Sequence, residues 1–148
     1  MIAMLMEWAN VITWLLVLVG WFVVHRATLI RERRKEKREV SIQMCRVLAE
    51  LQTAAIDFHT APNFDARKSS DLAQQVERVI LQLQKIPLSE LQVPTMCMIN
   101  LRRRITKHNI DPSDFACQTA ASKIVSDIRN VVTDLIFFIE EARESVWE

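Results

Sequence analysis

Three histidines and three cysteines are the residues here with chemistry beyond packing, and their spacing works against catalysis and metal binding. His25, His59 and His108 each stand alone, and Cys45, Cys97 and Cys117 are far apart. Neither H-E-x-x-H nor C-x-x-C places two ligands on one helical turn or loop. Asp57 and His59 are two residues apart, a spacing that points side chains to different sides of a helix, so the pair reads as a solvated helix terminus. The one glycine, Gly20, lies in an apolar run, which leaves no glycine-rich loop to cradle a phosphate. The sequence therefore predicts no catalytic, cofactor-binding or metal-ligating residue, no cofactor and no small-molecule substrate: a protein that is not an enzyme. The odd, scattered cysteines sit within helical patterns and read as buried, reduced thiols in a reducing compartment.

Two basic clusters are the remaining candidates. Arg102, Arg103, Arg104 and Lys107, followed by His108, gather positive charge that suits an acidic partner. A solvated face paired with acids such as Glu77 or Glu90 is the plainer expectation. Nucleic acid is disfavoured, because no aromatic lies near for base stacking and the net charge of the chain is only +1. The second cluster is denser: Arg26, Arg31, Arg33, Arg34, Lys35, Lys37 and Arg38 put seven basic residues into a short stretch, partly neutralised by Glu32, Glu36 and Glu39. Its position explains it.

Val11 to Val24 is apolar except for Thr13 and Gly20, and with the preceding residues from Met4 it reaches the roughly 20 residues needed to cross a ~30 Å hydrocarbon core. Spanning places Glu7 and Asn10 near the outer interface, with Trp8 as an interfacial aromatic and Arg26 snorkelling at the inner end. No basic residue precedes the run, so the positive-inside rule predicts an N-terminus outside and a cytosolic C-terminal domain. The same basic residues face lipid headgroups. Ala9, Thr13, Gly20 and Ala27 fall on one side of this helix at spacings of four, seven and seven, a small-residue stripe suited to self-association.

Beyond the basic run the apolar pattern becomes periodic. Val40, Met44, Val47, Leu51, Ala54 and Phe58 alternate by fours and threes and mark a helix that stops before Pro62. Leu72, Val76, Val79, Leu83 and Ile86 mark a second, capped by Ser69 or Ser70. Met98, Leu101 and Ile105 mark a shorter third after Pro94. Asp111, Pro112, Ser113 and Asp114 look like the start of a fourth helix of about 35 residues, with a coiled-coil-like stripe through Cys117, Ala121, Ile124, Ile128, Val131, Leu135, Phe138 and Ala142. Val125, Val132, Ile136 and Ile139 widen its apolar face, and its acidic end (Glu140, Glu141, Glu144, Glu148, with Trp147) would suit a place beside the basic neck.

The expected architecture is all-α: a transmembrane anchor over residues 1–26, a basic juxtamembrane helix over 27–39, and an antiparallel bundle of about four helices over 40–148. The function expected of it is a single-pass, membrane-tethered interaction module that binds membrane lipid and either a cytosolic protein or a second copy of itself. The alternative is a small oligomeric membrane effector or toxin that perturbs the bilayer when triggered, drawing on Glu7, Asn10 and Thr13 as polar atoms within the span.

Overall fold

Glycine is nearly absent and the four prolines fall between periodic segments, so little in the chain interrupts helix except at those breaks. The computed structural model describes residues 2–85, 93–106 and 110–144, with side chains from Thr13 onward, and among them every regular element is an α-helix. The four are α1 (Ile2–His59), α2 (Ala66–Lys85), α3 (Thr95–Thr106) and α4 (Lys123–Glu144). By its contacts the chain divides into two units, residues 1–36 and 37–148.

The unit 37–148 has one hydrophobic core fed by all four helices. From α1 it takes Met44, Leu48, Leu51, Ala55 and Phe58. The expected stripe is right at Met44, Leu51 and Phe58, but Val40, Val47 and Ala54 are only half-buried, and Leu48 and Ala55 take the central places. Buried Ser41 donates its hydroxyl to the Lys37 carbonyl at 2.9 Å, which satisfies it within its own helix. Past His59, Thr60 and Ala61 N–H groups bond back to the Ile56 and Phe58 carbonyls, closing α1 ahead of Pro62.

In α2, Leu72, Val76, Val79 and Leu83 are buried as their spacing predicts; Ile86 lies outside the described residues. The cap is not at Ser69 or Ser70. Asp65 takes that role, its Oδ1 accepting from the Arg67 and Lys68 N–H groups at 2.9 and 3.3 Å. Ser69 instead donates its hydroxyl to the Ile110 carbonyl at 2.9 Å, tying the first turns of α2 to the segment after α3. Met98, Leu101 and Ile105 of α3 are buried as expected.

The largest departure precedes α4, which starts at Lys123 and is 22 residues long, so Cys117 and Ala121 belong to no helix. The Asp-Pro-Ser-Asp residues that resemble a helix start equally suit a β-turn, with Asp first and Pro second, and the Asp114 N–H bonds to the Asp111 carbonyl at 3.1 Å. The following chain is then captured by the end of α1. Phe115 meets Phe58 and Phe64 edge-on at 5.7 and 5.5 Å between ring centroids, and the Gln118 N–H donates to the His59 carbonyl at 2.8 Å. These contacts outweigh local helix preference. Ser122 caps α4 through Oγ to the Val125 N–H at 3.3 Å. Replacing Ser122 or Asp65 with alanine should each lower stability by about 1 kcal/mol, whereas Asp111→Ala should stay within about 0.5 kcal/mol, as read by chemical unfolding.

Candidate functional site

In the unit 1–36 an apolar surface is presented outward without protein cover. Trp14, Leu16 and Trp21 are 70%, 68% and 64% exposed, and every described residue from Thr13 through Glu36 is exposed. This helix is long and apolar enough to cross a membrane, and none of its most apolar window is buried by protein. A core helix of a soluble protein would have that face covered. A Cβ added at Gly20 would meet nothing within 4 Å, and Thr13 and Ala27 are likewise exposed; the side chains of Trp8 and Ala9 lie outside the described residues.

At the C-terminal end of the apolar run, Trp21 stacks on His25 one turn later, with centroids 5.2 Å apart and rings nearly parallel. The Thr28 hydroxyl is satisfied by the Val24 carbonyl at 2.9 Å. The basic residues begin here: Arg26, Arg31, Arg33, Arg34, Lys35 and Arg38 are exposed and Lys37 is half-buried. At about 100° per residue these side chains share one broad side of α1, an arc of about 200°, with Glu32, Glu36 and Glu39 on the opposite side, which suits an extended basic face better than a pocket for one ligand.

The α3 cluster separates into parts. Arg102 pairs with Glu77 of α2 at 2.9 Å, as its sequence neighbours suggest, and Arg104 pairs with Asp127 of α4 at 2.6 Å. Both pairs are largely exposed, so they fix the register of α3 between its neighbours more than they add stability. Arg103 is exposed and makes no ion pair among the described residues; Lys107, His108 and Glu90 lie outside them. Of the described members of the cluster, Arg102 and Arg104 are therefore held to opposite neighbours, with Arg103 between them.

His59 corrects the expectation of a solvated terminus: it is fully buried. Its Nε2 lies 3.2 Å from the Ile105 carbonyl, which can only accept, so the proton sits on Nε2. Phe58 meets the ring edge-on, and burial pushes the histidine below its ordinary value, partly offset by the Ile105 bond. Sequence spacing could not find this role, because it depends on Phe64 and Phe115 converging on the same helix end. With a lowered folded pKa, the unfolded chain binds more protons as pH falls below about 6.5. Stability is then fully present above that pH and is lost on acidification. The unfolding midpoint should drop between pH 7.5 and 5 more steeply for the wild type than for His59→Gln.

The cysteines are free thiols. Cys45 and Cys97 are half-buried, but Cys117 is exposed, against expectation, because it lies in the non-helical segment captured by α1. Burial, with Glu140 adding to it and Arg143 opposing, pushes the Cys45 thiol up, so it is a poor nucleophile near neutral pH. Among the described residues no group of three or more His, Cys, Asp or Glu side chains is placed to hold a metal ion. Two clefts among the described residues are open: one of about 470 Å³ beside Glu77, Arg78 and Arg102, and one of about 260 Å³ beside Asp57, Lys68 and Asp71. Neither brings together a nucleophile, a base and an oxyanion donor.

Comparison of the chain with protein-family models, with curated proteins and with solved structures gives no match in any of the three.

Proposed function

We propose that this chain is a membrane-tethered interaction module whose N-terminal helix crosses the bilayer and whose 40–148 region works in the cytosol by binding rather than catalysis. One contrast carries the reading: the region from Thr13 to Val24 exposes continuous apolar surface, while the unit 37–148 buries its own core. Water tolerates the second and not the first. The basic stretch from Arg26 to Arg38 supports a cytosolic C-terminal side and contact with anionic headgroups.

An antiparallel bundle is the arrangement favoured for the soluble region. The segment before α4 bonds to His59 at the end of α1, whereas Glu140 and Arg143 near the other end of α4 act on Cys45, about four turns earlier in α1. That pattern supports α4 running back alongside α1. Of the acidic C-terminal residues, Glu148 lies outside the described residues, as does Trp147.

Expression of the full chain with membrane potential as readout tests the reading. A tether leaves the potential intact. Depolarisation abolished by Gly20→Leu would replace it with a bilayer-perturbing effector.

A further inference from the structure

Arg102 and Arg104 turn to either side of α3 to meet Glu77 and Asp127, which leaves the outward side of the helix to Met96, Ile99 and Arg103, spaced three and four. Met96 is 63% exposed and Ile99 49% exposed. Large apolar side chains grouped beside an uncommitted cation form a surface that is apolar and basic. The outward side of α4 has the opposite character. Asp134, Phe137, Glu141 and Glu144 follow the same three-four spacing, all are exposed, and Phe137 is 63% exposed among the acids.

Neither face suits its own kind. Two α4 faces would bring carboxylates together, and two α3 faces would oppose guanidinium groups, while one of each matches in both charge and apolar content. We propose that the partner of the soluble unit is a second copy of this chain, with the Met96–Ile99–Arg103 face of α3 in one molecule seated on the Asp134–Phe137–Glu141 face of α4 in another. This rests on the tether reading, because confinement to one membrane raises the effective concentration of copies enough for a small interface to act. The contact is head-to-tail. A single contact leaves the α4 face unused on one molecule and the α3 face unused on the other, so association yields open rows or rings of copies and not only closed pairs.

The full chain, labelled with donor or acceptor dye at the exposed thiol of Cys117, is reconstituted in phosphatidylcholine vesicles. Energy transfer between wild-type copies is expected and should weaken at high salt. Arg103→Glu alone, and Asp134→Lys with Glu141→Lys alone, should each reduce association about tenfold, and mixing the two variants should restore it. These positions are exposed, and unchanged far-ultraviolet circular dichroism checks that the variants fold. Transfer that persists in both variants alone, or fails to return in the mixture, overturns the inference. Flotation of the same vesicles separates the two levels: a chain that floats without transfer overturns self-association alone, and a chain that does not float overturns the tether beneath it.

Discussion

Replacing Val17 and Leu18 with arginine should move the chain out of the alkali-resistant membrane fraction. Ten Leu, Ile, Val and Phe side chains between Val11 and Val24 each favour insertion by about 0.3–0.6 kcal/mol, roughly 3–6 kcal/mol together. Each arginine near the centre opposes it by about 2.5–3.5 kcal/mol, so two of them cancel the whole driving force. Changing Arg33 and Arg34 to glutamine should leave insertion intact, because those residues sit outside the apolar run and act on orientation. If the double arginine variant stayed in the membrane fraction, something other than lipid burial would be holding the chain there.

Leu101→Ala is expected to be the most damaging single change in the unit 37–148. Leu101 is fully buried on the helix that packs against both α2 and α4, and truncating such a leucine costs about 3–5 kcal/mol through lost transfer energy and the cavity left behind. For a unit of this size that lowers the melting temperature by about 10–20 °C. Leu81→Ala is the control: Leu81 is 53% exposed, and its loss should move stability by no more than about 0.5 kcal/mol. Thermal unfolding of the full chain in mild detergent distinguishes them. Similar effects at both positions would mean that Leu81 lies in an interface or that Leu101 is not in the core.

The helices were legible in the sequence to different depths for a physical reason. In α3, Leu101 and Ile105 have only polar neighbours in sequence, which fixes the inward side, and Met98 is buried with them while the adjacent Ile99 is exposed. Elsewhere the four-three pattern contains adjacent apolar pairs: Val47 with Leu48, Ala54 with Ala55, Ile124 with Val125, Val131 with Val132 and Phe138 with Ile139. Either member of a pair satisfies the period. In these pairs the structure buries the second member and leaves the first half-buried, whereas in Leu135 with Ile136 it buries the first, so the choice depends on the neighbours each turn meets. The turn at Asp111 to Asp114 failed as a helix start because capping and turn formation use the same residues, and only the tertiary hold of Phe115 and Gln118 decides between them.

Of the candidate site residues, the basic neck and the apolar run before it were visible as a charge and hydropathy boundary, a feature that needs no tertiary information. The division of the α3 arginines was partly visible, since Glu77 stood out as a partner, but Asp127 comes from a helix far along the chain. Buried His59 was not visible at all. Its burial requires Ile105, Phe58 and the captured segment after Asp114 to meet at the end of α1.

Topology of the full chain tests the central claim most directly, with Cys117 as the reporter because it is the exposed thiol of the unit 37–148. In sealed cells expressing the protein, a membrane-impermeant maleimide should leave Cys117 unmodified until the membrane is opened, and the chain should sediment with membranes after alkaline washing. Modification of Cys117 from outside intact cells, or recovery of the whole chain in solution without detergent, would contradict a tethered cytosolic module.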